Sequence, residues 1–74
     1  MKKYLVITYF EGLLDIAFVK NTFKEAREAM IYDIEEYTNE MDPRWLIDCS
    51  VGDDYGFLNY GGDICEWFIK EIEV

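Results

Sequence analysis

Covalent catalysis needs an activated nucleophile and a base, and this 74-residue chain holds one serine (Ser50), two cysteines (Cys49 and Cys65) and no histidine. Neither cysteine has a basic neighbour in sequence to lower its pKa. Paired-carboxylate hydrolysis needs two acids across a cleft, which so short a chain rarely builds. Asp53, Asp54 and Asp63 could share a calcium ion only if their loops converge, and the EF-hand spacing is absent. Solvated turn residues are the better reading of these three. Two cysteines without histidine fall short of a four-ligand zinc site. Gly61-Gly62 lacks the G-x-x-x-x-G-K-[ST] context of a phosphate loop and reads as a turn. These absences predict a protein that is not an enzyme and carries no metal or cofactor.

The acids matter more as a group than as ligands. Sixteen acids against seven bases give a net charge of -9. Residues 1–32 hold four acids and five bases, whereas residues 33–74 hold twelve acids and only Arg44 and Lys70 as bases. Such a field repels phosphates and anionic membranes and favours a basic partner, a cation or plain solubility. No apolar run approaches the ~18 residues of a membrane helix, and the start of the chain lacks a signal-peptide pattern, so the expected location is cytoplasmic. In that compartment both cysteines are expected as reduced, packed thiols.

The element that must position the acids is a helix from Thr22 to Met41. Thr22 and Glu25 form a T-x-x-E capping box. Phe23, Ala26, Met30, Ile34, Tyr37 and Met41 recur every three or four residues as one apolar stripe. Glu25, Glu28, Tyr32, Glu35, Glu36 and Asn39 fall on the far side. Lys24 and Arg27 come early and Glu35, Glu36 and Glu40 late, which opposes the helix dipole. Pro43 stops the helix at or before Asp42.

Strands flank the helix. Residues 3–10 and 13–20 read as a hairpin about a two-residue Glu11-Gly12 turn. Uninterrupted pairing from Phe10–Leu13 sets Tyr9 against Leu14, Ile7 against Ile16 and Leu5 against Phe18, an uncharged set expected to face the core. Residues 44–52 alternate as a strand, although Asp42-Pro43 is also a good helix start. Gly52-Asp53-Asp54 is a turn. Residues 55–60 and 64–74 form a second hairpin about a three-residue Gly61-Gly62-Asp63 loop, with Phe57 against Trp67 and Tyr55 against Ile69. Phe68, Ile72 and Val74 fall out of that phase, as a bulge or an edge position would produce.

The expected architecture is one α+β domain spanning residues 1–74. An antiparallel sheet of four or five strands packs on one α-helix, in the order β-β-α-(β)-β-β. Thirteen aromatic residues exceed what this core takes up. Tyr9, Phe18, Phe23 and Tyr37 are expected inside, leaving Tyr4, Phe10, Tyr32 and part of Trp45, Tyr55 and Tyr60 for an interface. The expected partner-binding set is therefore Glu35, Glu36, Glu40, Asp42, Asp53, Asp54 and Asp63, with Tyr32, Tyr55 and Tyr60. In size, acidity and mixed topology the chain resembles small accessory proteins of phages and mobile elements, among them anti-CRISPR and DNA-mimic inhibitors. That likeness is compositional and transfers no residue. The leading expectation is a binding protein that docks on a basic, nucleic-acid-handling protein without contacting nucleic acid itself. The alternative is a homodimeric interaction module whose acidity serves solubility.

Overall fold

Two tight turns govern how the strands meet. β1 (Lys2–Phe10) and β2 (Leu13–Lys20) are joined through Glu11 and Gly12, both at positive φ (55° and 79°), the two-residue geometry that matches strand twist. A glutamate in the left-handed region costs on the order of 1 kcal/mol. It is held there by β5 (Asp63–Glu73): the Glu11 N–H donates to Ile64 O at 2.8 Å, and its carboxylate accepts from the Ile64 N–H at 3.2 Å. The chain is described here from a computed structural model covering residues 1–40 and 42–74, with Ile16 described by its backbone alone. Met41, expected at the end of the helical stripe, and the Ile16 side chain lie outside the described residues.

The five strands form one antiparallel sheet, with β3 (Leu46–Val51) and β4 (Tyr55–Tyr60) completing it in the spatial order β2-β1-β5-β4-β3. Helix α1 (Phe23–Glu40) packs on one face, so the expected α+β arrangement is present with the optional strand formed. The Glu25 N–H donates to Thr22 Oγ1 at 3.1 Å, and the Thr22 hydroxyl donates to the Glu25 carboxylate at 3.1 Å. Ala26, Met30 and Ile34 are buried against Val6, Leu58, Cys65, Trp67 and Ile69, with Tyr37 half-buried beside them. Phe23 is more exposed than the stripe implies, at 38%, and packs edge-on against Tyr4. Among the described residues, no helix is long and apolar enough to cross a membrane.

The registers correct two expectations. In the first hairpin Phe10–Leu13 and Tyr9–Leu14 pair as expected, but a bulge at Asp15 shifts every later pair by one. Ile7 therefore meets Ala17, and Leu5 meets Val19. The core face of β1 is Tyr4, Val6 and Thr8, not Leu5, Ile7 and Tyr9. Side-chain volume explains the choice. The fully buried Trp67 lies between Thr8 and Gly56 on the neighbouring strands, and a Cβ on Gly56 would sit 2.7 Å from Ile34 Cδ1. Small neighbours on both sides make room for the indole under the helix.

In the second hairpin the loop has two residues, Gly61 and Gly62, both at positive φ, and Tyr60 pairs with Asp63. Phe57 therefore meets Glu66 and Tyr55 meets Phe68, one place from the expected partners. β5 is neither bulged against β1 nor an edge; nine successive pairs hold it there. Its phase breaks because both faces are apolar: Cys65, Trp67 and Ile69 under the helix, Ile64, Phe68 and Ile72 opposite.

Both readings of residues 42–52 are realised in series. Asp42 caps a single 3-10 turn, Pro43–Trp45, accepting from the Arg44 N–H, and the chain then extends into β3. Cys49 and Cys65 are both free. They pair with opposite sides of Leu58, so two strand spacings of about 4.8 Å separate them, beyond disulfide reach. Cys65 is buried as expected, whereas Cys49 is exposed on the edge strand.

Candidate partner-binding surfaces

The helix shows one surface. Its period carries Glu25, Glu28, Tyr32, Glu35 and Glu36 to the side away from the sheet, where all five are exposed. Tyr32 is 63% exposed, and the Glu36 carboxylate one turn on raises its phenol pKa, first through a hydrogen bond and then through its charge. The last turn contains no base. The ion pairs among the described residues are Met1 amine–Glu73, Lys2–Glu71 and Arg44–Asp42. None of them neutralises an acid of α1.

The expected binding set does not form one surface. Glu35, Glu36 and Tyr32 share the outer face of α1, and Glu40 ends it. Asp42 is committed to structure: Arg44 holds its carboxyl below the usual carboxylate range, first through side-chain and then backbone hydrogen bonds. Tyr60 is half-buried, and its hydroxyl accepts from the Asp42 N–H at 3.3 Å. Asp63 begins β5 beside the Gly61-Gly62 turn. Asp53 and Asp54 lie at the other end of β4, five residue steps or about 17 Å away. The three aspartates therefore cannot share an ion, and no group of three metal-ligating side chains occurs among the described residues. Tyr55 points to the face opposite Tyr60, with its ring 5.2 Å from that of Phe68 and its hydroxyl 3.4 Å from the Glu66 carboxylate.

The second surface is the uncovered face of the sheet, which sequence reasoning assigned largely to the core. It carries Leu5, Ile7 and Tyr9 of β1, Leu14, Ala17 and Val19 of β2, Ile64, Phe68 and Ile72 of β5, and Tyr55 and Phe57 of β4. The Tyr9 and Tyr55 rings flank Phe68 with centroids at 5.7 and 5.2 Å. A concavity of about 390 Å³ opens over this cluster, lined by Ile7, Tyr9, Gly12, Glu66, Phe68 and Lys70. The signal for it was available: a five-strand sheet with apolar residues on both faces has one helix to cover it.

Three polar groups line the core: the Trp67 indole, the Thr8 hydroxyl and the Cys65 thiol. The Trp67 indole N–H donates to Asp33 Oδ2 at 2.8 Å, tying the central strand to the helix. The Thr8 hydroxyl is fully buried and has no hydrogen-bond partner among the described residues. The thiol of Cys65 is pushed up to about 11 by burial, with the charges of Asp15, Asp63, Glu11 and Asp33 adding to it. Such a thiol is a packing group, not a nucleophile. The chain matches no family model, no curated protein and no solved structure.

Proposed function

We propose that the protein is a non-enzymatic binding protein that docks the acidic outer face of α1 on a basic protein surface. One observation carries this reading. The strip Glu28, Tyr32, Glu35 and Glu36 is exposed and free of ion pairs among the described residues, and the helix ends on Glu40 with no base in its last turn. An acid in that last turn costs a few tenths of a kcal/mol up to about 1, a cost that a charged partner can offset on binding. A basic groove suited to such a strip is one that handles nucleic acid, where carboxylates stand in for phosphates. A host defence nuclease is a partner of that kind, and the protein would then act as a competitive inhibitor of the anti-CRISPR or DNA-mimic type.

The test is capture of partners from a bacterial lysate on the wild-type chain and on a Glu35→Lys, Glu36→Lys, Glu40→Lys variant, each washed at low and high salt. The reading expects a nucleic-acid-binding protein that is retained by the wild type at low salt. High salt should release it, and so should the triple reversal. Capture indifferent to both would remove the electrostatic argument.

A further inference from the structure

We propose that the uncovered sheet face is the interface of a symmetric dimer, with a second copy of this chain as its occupant. The proposal stands apart from the acidic docking reading, since it uses the opposite side of the molecule.

Charge selects the occupant. Among the described residues, the charged side chains on this face are Lys3 and Lys70, Glu66 and Asp48, two of each sign. The net charge of -9 therefore lies wholly on the remaining surface. A basic partner has no reason to choose this face. A second copy meets no net like charge here, whereas the remaining surface carries the whole of the -9.

The pattern along the strands is also self-complementary. Place a two-fold axis across the strands at the level of Phe68, so that two sheets stack with β5 antiparallel over β5. Phe68 then lies over the partner's Phe68, and Glu66, two residues to one side, lies over the partner's Lys70, two residues to the other. The rows of the sheet carry the same match outward. Leu14 stands level with Glu66 through Tyr9, and Val19 stands level with Lys70 through Leu5. Leu14 of one copy, 62% exposed, therefore covers Val19 of the other, 49% exposed. The Glu66–Lys70 and Leu14–Val19 contacts each occur twice, and Phe68–Phe68 once, on the axis. Aligned sheets cross at about 30°, which near the axis displaces such pairs by only a few ångströms.

The area suffices. Five strands at about 4.8 Å and eight residue steps of about 3.4 Å along the central strands give on the order of 600 Å² per copy. That is three quarters of the roughly 800 Å² per partner of a standard interface. Closure would also shelter an apolar patch near the upper end of what single-chain proteins commonly expose.

Sedimentation velocity from low to high micromolar concentration tests the proposal, with circular dichroism confirming the fold of each variant. The wild type should sediment as a dimer. Glu66→Lys and Lys70→Glu should each weaken self-association about tenfold or more, because both symmetric pairs become repulsive. An equimolar mixture of the two variants should dimerise again, since both charge pairs across the axis then join opposite signs. Leu14→Asp, at a side chain outside the core, should weaken the dimer as well. A wild type that stays monomeric, a dimer indifferent to these variants, or a mixture that fails to reassociate would overturn the proposal.

Discussion

Removing the Asp33 carboxylate should expose how much of the helix-to-sheet contact depends on one hydrogen bond. Trp67 is fully buried at the centre of the sheet, and its indole N–H has Asp33 Oδ2 at 2.8 Å as its partner. Asp33→Ala leaves that donor buried and unpaired, which costs about 1–3 kcal/mol. Asp33→Asn keeps an acceptor but loses the charge, so its cost should fall nearer 0.5–1 kcal/mol. A chain of this length has a total stability of roughly 4–11 kcal/mol, so the alanine change is a large fraction of it. Urea unfolding followed by tryptophan fluorescence reads the loss as a lower midpoint at unchanged slope. Combining Asp33→Ala with Trp67→Phe closes a double-mutant cycle, and the coupling should account for most of the alanine cost. If Asp33→Ala keeps the wild-type midpoint, the bond does not contribute and the indole is satisfied in some other way.

Two further outcomes follow from buried groups. Thr8→Val removes a fully buried hydroxyl without a partner, so it should raise stability by about 1 kcal/mol, seen as a higher urea midpoint; a lower one refutes the reading of that hydroxyl as unsatisfied. A disulfide-exchange reagent at pH 8 should titrate Cys49 alone in the folded protein and both cysteines in denaturant. The Cys65 thiol, pushed up to about 11, has only about a thousandth of its population as thiolate there, so rapid reaction at both would contradict its burial.

The helix was legible because its signals are local. A capping box, a 3.6-residue stripe and a following proline all act within a few residues, and they placed the acidic outer strip as well. The Glu11-Gly12 turn was legible for the same reason. The faces of the strands were not. Asp15 carries no local mark of a bulge, and a loop of two glycines differs from one of three residues by a single step. With period-two alternation, one step exchanges the buried face for the open one. The acids of the turns were misgrouped although the length of the strand between them, legible as residues 55–60, already separates its two ends by about 17 Å. The open face could have been anticipated from area. An 18-residue helix is about 27 Å long and 10–12 Å wide, against a sheet about 24 Å across. It cannot cover even one face, and every residue of β3 is accordingly exposed.

The two proposed surfaces are compatible because the sheet separates them. In the dimer, the stacked sheets lie about 10 Å apart, and each helix lies roughly another 10 Å beyond its sheet. The acidic strips then face outward some 40 Å apart, several times the ~8 Å over which salt lets surface charges interact. Dimerisation therefore adds no repulsion between them, although each copy carries nine net negative charges. It instead offers two acidic faces related by a two-fold axis, which raises avidity for any partner that repeats its basic site. The two surfaces remain separable by mutation: reversing Glu35, Glu36 and Glu40 acts on docking and leaves the sheet interface untouched. Glu66→Lys or Lys70→Glu halves the valency while each helix keeps its intrinsic affinity.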